Sequence, residues 1–211
     1  REDDTKHGFY RPSSLHSMTG SIESKKINLW RHKVISPDAV GQQVVYQYGA
    51  SLPGIAEGIM KLGFVKGMMS QIITEGAKKI NYDIPNMLIE MKAFETDVPL
   101  GFWRAVYDSQ NAFANECFID ELSNLSNLDP IKLRLKHLGF NSRPAIVIKK
   151  AAKESNWGRK LKRGHFQGFA YHHSFGSHVA EVAEVSITKQ NKVKVHRVTC
   201  VVDCGQTVNP M

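Results

Sequence analysis

The sequence predicts an α+β fold, with mixed or antiparallel sheets and helices packed on one side. Three observations carry this reading. Residues 14–37 and 87–94 alternate as strands do, the stretch from Asp108 to Asn156 switches to helical spacing, and the chain beyond Gly158 returns to a period of two. Strands, helices and strands in that order argue against alternating βαβ units.

Within residues 14–37, the polar break Glu23-Ser24-Lys25-Lys26 separates Ile22 from Ile27, so two strands joined by a short turn are expected, ending before Pro37. Trp30 and Val34 are even-spaced in the second. Residues 38–80 carry Gly41, Gly49, Gly54, Gly58, Gly63, Gly67 and Gly76, and only Ile55–Leu62 suggests a short helix there. After the turn signal Ile84-Pro85-Asn86, the run from Met87 to Phe94 reads as a strand. Ala114, Phe118, Leu122 and Leu125 then mark one face of a helix that Asp108 or Ser109 can cap, and Cys117 within it reads as buried packing. Asp129 is the expected N-cap of a second helix with Pro130 in its first position. Ile131, Leu135 and Leu138 form the stripe of that helix, and Gly139 is its stop. A third helix is expected from Arg143 to about Asn156. Gly164–Phe175, Val179–Lys189 and Lys192–Val202 read as three strands, with Gln190-Asn191 as a two-residue turn. On the last strand Val193, Val195, Arg197, Thr199 and Val201 share one face, and Lys194, His196, Val198, Cys200 and Val202 the other.

Composition narrows the function classes. At 211 residues, 42% hydrophobic and 23% charged, the chain can bury a sizeable core. No apolar run reaches the roughly 18 residues of a membrane-spanning helix. The net charge of +8 raises a nucleic-acid surface, and the basic residues concentrate at Lys149, Lys150, Lys153, Arg159, Lys160, Lys162 and Arg163. Only Trp157 is interleaved with them, which fits a solvated linker better than a phosphate-tracking surface. Cys117, Cys200 and Cys204 form no CxxC pair. Cys200 and Cys204 would sit roughly 13 Å apart along a strand, too far for a disulfide.

The strongest candidate site is the strand-to-helix loop Gly101-Phe102-Trp103-Arg104-Ala105-Val106. Unpaired N–H groups at such a junction suit anions or metal-bound oxygens, and an arginine adds a cationic fork. The alternative is that Phe102 and Trp103 are core and Arg104 pairs with Asp108 or Glu116. His165, His172, His173 and His178 suggest a metal, but adjacent strand histidines point to opposite faces, which favours a structural or surface role. Glu116, Asp120, Glu121, Glu181 and Glu184 supply carboxylates, and Glu116 and Asp120, one turn apart on a helix face, adjoin no obvious histidine or nucleophile. No GxSxG, P-loop, HExxH or GxGxxG motif is present.

Several ordered blocks resemble the xanthine dehydrogenase/aldehyde oxidase superfamily, and within it the isoquinoline 1-oxidoreductase beta subunit group. They are Arg1-Glu2-Asp3 with Gly8-Phe9-Tyr10-Arg11-Pro12; Gly101 to Val106, Gln110-Asn111-Ala112-Phe113, Glu116 to Leu122, Asp129-Pro130 and Arg134-Leu135; and Phe175-Gly176-Ser177, Val179-Ala180, Ala183-Glu184-Val185 and Val202-Asp203-Cys204-Gly205 with Asn209-Pro210. The resemblance implies that residues 1–157 are part of a first molybdenum-cofactor-binding domain and 158–211 the start of a second. It implies molybdopterin, as the cytosine dinucleotide, and a small partner carrying [2Fe–2S] clusters. The implied reaction is hydroxylation of an N-heterocycle or oxidation of an aldehyde with water-derived oxygen and a glutamate base. Gly101, Phe102, Trp103, Arg104 and Ala105 would be cofactor-binding. The family's Met-Gly-Gln-Gly, Gly-Gly-Gly-Phe-Gly and Gly-Val-Gly-Glu motifs are absent, so no catalytic residue is assigned and the base is expected beyond Met211. The chain, which starts without Met, thus reads as an internal fragment, inactive alone. Relatives make the periplasm a plausible compartment. The alternative reading is a basic nucleic-acid-binding module or a non-catalytic scaffold.

Overall fold

The computed structural model describes residues 8–43, 54, 58, 67 and 71–209. Its elements are β1 (Leu15–Glu23), β2 (Lys26–Pro37), a short 3-10 helix (Gln71–Thr74), β3 (Asn86–Phe94), α1 (Asp108–Leu125), α2 (Pro130–Leu135), α3 (Arg143–Glu154), β4 (His165–Ser174), β5 (Ser177–Ile187) and β6 (Val193–Asp203). The strands form two three-stranded sheets, ordered β1-β2-β3 and β4-β5-β6. This is the predicted α+β class. The suggested helix Ile55–Leu62 lies, but for Gly58, outside the described residues.

The residues group into two compact units. The first takes residues 1–19, 31–79 and 87–111. Its core is Val34, Ala39, Val40, Ile73, Leu100 and Tyr107. Tyr107 is the organising side chain. Its hydroxyl donates to Pro37 O at 2.7 Å and accepts from Ala39 N at 3.1 Å, so the turn after β2 is satisfied from inside. Gln42 braces the approach to Gly101, donating to Thr96 O at 2.6 Å and accepting from Leu100 N at 3.0 Å.

The second unit takes residues 20–30, 80–86 and 112–211. Ser24 and Lys25, the predicted break, turn with φ of 48° and 60°, the paired left-handed geometry of a tight hairpin. Trp30 is fully buried and meets Phe118 edge-on at 5.1 Å. Asp129 caps α2 as predicted: its Oδ1 accepts from Ile131 N at 3.0 Å and Lys132 N at 2.9 Å, with Pro130 following. The other oxygen, Oδ2, accepts from Trp157 Nε1 at 2.7 Å. α3 lays Ala145, Ile148 and Ala151 inward, a helical stripe.

Several expectations fail for local reasons. Leu125 is 78% exposed, because α1 ends there and its last turn turns Leu122 and Ser123 inward instead. Cys117 is exposed rather than packed, since its spacing puts it on the outer stripe with Phe113 and Glu121. α2 stops at Leu135, short of Gly139, and it buries Leu133 and Arg134 where Leu135 and Leu138 were expected. Lys136 N already folds back onto the carbonyls of residues 132–134, so glycine is not needed to end the helix. The β5–β6 connection is longer than two residues: Thr188 N bonds Lys192 O at 2.9 Å around residues 189–191, with Asn191 at φ 57°. On β6 the strict alternation breaks, because Glu184 opposes Arg197 while Val185 opposes Val195, leaving His196 as a bulge. Val193 and Val195 therefore shift to the face of Val198 and Val202.

His137, from the turn after α2, clamps two loops. Its Nε2 accepts from Ile27 N at 2.9 Å and its Nδ1 bonds Asp83 O at 2.8 Å, which requires a neutral ring. Burial pushes its pKa below the usual value. The unfolded chain therefore binds a proton that the fold refuses, so stability is whole above about pH 6.5 and falls as pH drops below it. His137→Gln is expected to flatten the fall in urea midpoint between pH 7.5 and 5.5; an unchanged slope would exclude His137 as a contributor.

Candidate functional site

The loop Gly101 to Val106 is pinned at its base by the segment preceding β1. Tyr10 and Leu100 form a parallel bridge, with Tyr10 N bonded to Pro99 O at 2.9 Å and Gly101 N to Tyr10 O at 3.0 Å. Gly101 is required by this approach, since a Cβ there would stand 2.6 Å from the Phe9 Cβ. Phe102 is half-buried against the core and meets Tyr107 edge-on at 6.0 Å. Trp103 is 63% exposed, and the Arg11 guanidinium lies 5.0 Å from its ring centroid. Arg104 is exposed and forms no ion pair among the described residues. Of the two readings of this loop, the packing one holds for Phe102 alone.

Beyond Gly101 the backbone is open. The N–H groups of Phe102, Trp103, Arg104 and Ala105 have no acceptor among the described residues. Val106 N closes back onto Trp103 O and Asp108 N onto Ala105 O, both at 2.9 Å. Val106 itself has φ 48°, a strained conformation for a β-branched residue. Asp108 is the first residue of α1 rather than its cap, and its acidic side chain suits a helix N-terminus.

Glu116 and Asp120 resolve into structural roles. Glu116 accepts from Arg134 Nε at 2.9 Å, Tyr82 Oη at 3.0 Å and Tyr171 N at 2.8 Å. Arg134, fully buried, also donates to Asp120 Oδ1 at 2.8 Å, Glu116 O at 3.0 Å and Pro130 O at 3.0 Å, and lies 5.1 Å from the Phe169 ring centroid. Burial pushes the Glu116 carboxyl up, but with a guanidinium and two further donors aimed at its oxygens it is a carboxylate. Burial also works against the charge on Arg134, and Glu116, Tyr82 and Asp120 outweigh it, holding the guanidinium protonated. Sequence reasoning missed this network. Its signal was present, as Glu116 and Asp120 at one-turn spacing and Arg134 on the next helix.

The histidines are likewise dispersed. His173 opposes His178 across the hairpin made by Phe175 and Gly176, and their rings stack at 4.4 Å. His178 Nδ1 bonds Tyr171 Oη at 2.7 Å. His165 stacks on the bulged His196 at 4.3 Å beside Glu184. No group of three or more His, Cys, Asp or Glu residues is arranged to hold a metal among the described residues. The basic stretch is partly neutralised, since Arg159 bonds Glu184 at 2.5 Å and Lys150 reaches Glu154 at 3.4 Å, while Lys149 lies 3.7 Å from the Phe140 ring centroid. Asp203 is held by Arg143 at 2.8 and 2.9 Å, which keeps its carboxyl well below the usual range.

Along its whole length the chain is 28% identical, over 219 aligned residues, to the isoquinoline 1-oxidoreductase beta subunit of Brevundimonas diminuta. A second relative, a nicotinate dehydrogenase subunit of Pseudomonas putida, is 31% identical over 147 residues, 61% of this chain. Together these relatives support the molybdenum hydroxylase family for the chain. Against the aldehyde oxidoreductase of Desulfovibrio gigas, a solved structure, the fold is matched over 88% of the chain with a TM-score of 0.51 at 16% identity. No family model matches. The chain spans 26% of the first relative's length, 12% of the second's and 21% of the solved chain.

Proposed function

We propose that this chain is part of the molybdenum-cofactor-binding large subunit of an oxidoreductase that hydroxylates N-heterocycles or oxidises aldehydes with water-derived oxygen. The observation that carries the proposal is the open loop: four successive N–H groups, unpaired among the described residues, beside the exposed Arg104 and seated on the segment Phe9 to Arg11. Both parts are blocks on which the family resemblance rests. Residues 1–157 would contribute to a first cofactor-binding domain and 158–211 to a second.

The donor set fits the group. Backbone N–H groups and a guanidinium recognise the anionic and oxo oxygens of molybdopterin, here as its cytosine dinucleotide, and a side chain at Gly101 would displace the segment beneath them. When bound, that group supplies the two-electron oxidation; its electrons would pass to a small partner carrying [2Fe–2S] clusters. This chain's own part is positional. Phe102–Ala105 orient oxygens through their N–H groups, Arg104 adds positive charge, and Trp103 is steadied by Arg11.

The test is metal and pterin analysis of the full-length subunit purified with its iron–sulfur partner. Stoichiometric molybdenum is expected, with a marked loss in Arg104→Ala. The 211-residue chain alone is expected to hold none and to be inactive. Full-length protein free of molybdenum that binds DNA or RNA with a steep salt dependence would establish the basic-module alternative instead.

A further inference from the structure

One buried donor near the loop has nothing to donate to among the described residues. Gln110 stands in the first turn of α1, is 7% exposed, and its Oε1 accepts from Ser109 Oγ at 2.9 Å. With Oε1 placed on Ser109, Nε2 is the end of the amide that is buried without an acceptor. A donor removed from water and left unpaired works against folding, whereas leucine or methionine would fill similar space without that cost. Its neighbour Asn111 shows the contrast. Asn111 spends both amide N–H groups on Ile73 O and Glu75 O, a structural use, and it is only its acceptor Oδ1 that lacks a partner. Trp30 Nε1 is also unpaired, but its ring is accounted for by packing on Phe118.

We infer that the Gln110 side-chain amide is a binding donor for an oxygen of the group seated on residues 101–105. This rests on the cofactor reading of that loop and goes further, in naming a contact and its chemistry. The unpaired N–H groups of Phe102–Ala105 and the strained Val106 lie in the same short stretch. The Gln110 amide is uncharged, so it brings no cation to balance a fully ionised phosphate. A neutral or weakly charged acceptor, a carbonyl or oxo oxygen, suits Gln110 better.

The experiment uses the full-length subunit made in a pterin-producing host, as wild type and Gln110→Leu. Pterin and molybdenum per subunit are measured after gel filtration, and melting temperature is measured on cofactor-free protein. The expected result is a cofactor-free Gln110→Leu protein that melts at or above the wild-type temperature yet retains about ten-fold less pterin, the effect of one lost hydrogen bond. Equal retention in the two loaded proteins would overturn the inference alone. So would a Gln110→Leu protein that melts lower or fails to fold, because the amide would then be structural. Wild type without pterin or molybdenum would overturn the cofactor reading itself, and this inference with it.

Discussion

Arg134→Ala is expected to destabilise the fold by about 3–5 kcal/mol, measured as the loss of unfolding free energy in urea. The guanidinium is completely buried and satisfies three parts of its unit at once: Glu116 and Asp120 on α1, and the Pro130 carbonyl on its own helix. Without it Glu116 remains a buried carboxylate whose remaining donors, Tyr82 Oη and Tyr171 N, cannot balance its charge. The pair itself is not the source of that figure. Replacing both ends, as Arg134→Met with Glu116→Gln, is expected to recover a large part of the loss, because no uncompensated charge is then left. A loss below about 1 kcal/mol in the single variant would show that the network is not what joins α1, α2 and β4.

Gly101→Val is expected to cost about 1–3 kcal/mol and to empty the candidate site. Even the first carbon of the new side chain would stand 2.6 Å from Phe9 Cβ, and the neighbour on that side is the chain segment itself, not the tip of a flexible side chain. The segment Phe9 to Arg11 must then move, with loss of the Tyr10–Leu100 bridge and of the Arg11 stack on Trp103. Two measurements check this: melting temperature, and molybdenum content of the full-length subunit. Gly168→Ala is the control, since a Cβ there meets nothing within 4 Å, and it is expected to change stability by under about 0.5 kcal/mol. Normal molybdenum content in Gly101→Val would remove this loop from the site.

Much of the fold was legible because its signals are local. Asp129-Pro130 predicted a capped helix start, and the cap bonds are there. The polar residues Ser24 and Lys25 predicted a hairpin, and both adopt positive φ. The α+β class followed from the change of period along the chain. Less was legible where one residue decides between faces. The bulge at His196 reverses the facing of Val193 and Val195, and nothing in the alternation of that run announces it. Cys117 was misplaced because an apolar residue in a helix reads as inward, while its outer neighbours Phe113 and Glu121 share its stripe.

The candidate loop divides in the same way. Sequence alone determined that Gly101 to Val106 is a strand-to-helix junction, that it carries an arginine and two aromatics, and which family its blocks resemble. Only the tertiary structure decided which aromatic is core, Phe102, and which is displayed, Trp103, because burial depends on what Tyr107 and Arg11 bring from elsewhere. It also decided that Arg104 pairs with neither Asp108 nor Glu116, and that Glu116 belongs to Arg134. Spacing ranks neighbours along a helix or strand. Partners separated by many residues are chosen by packing, and the chemistry of this loop depends on such partners.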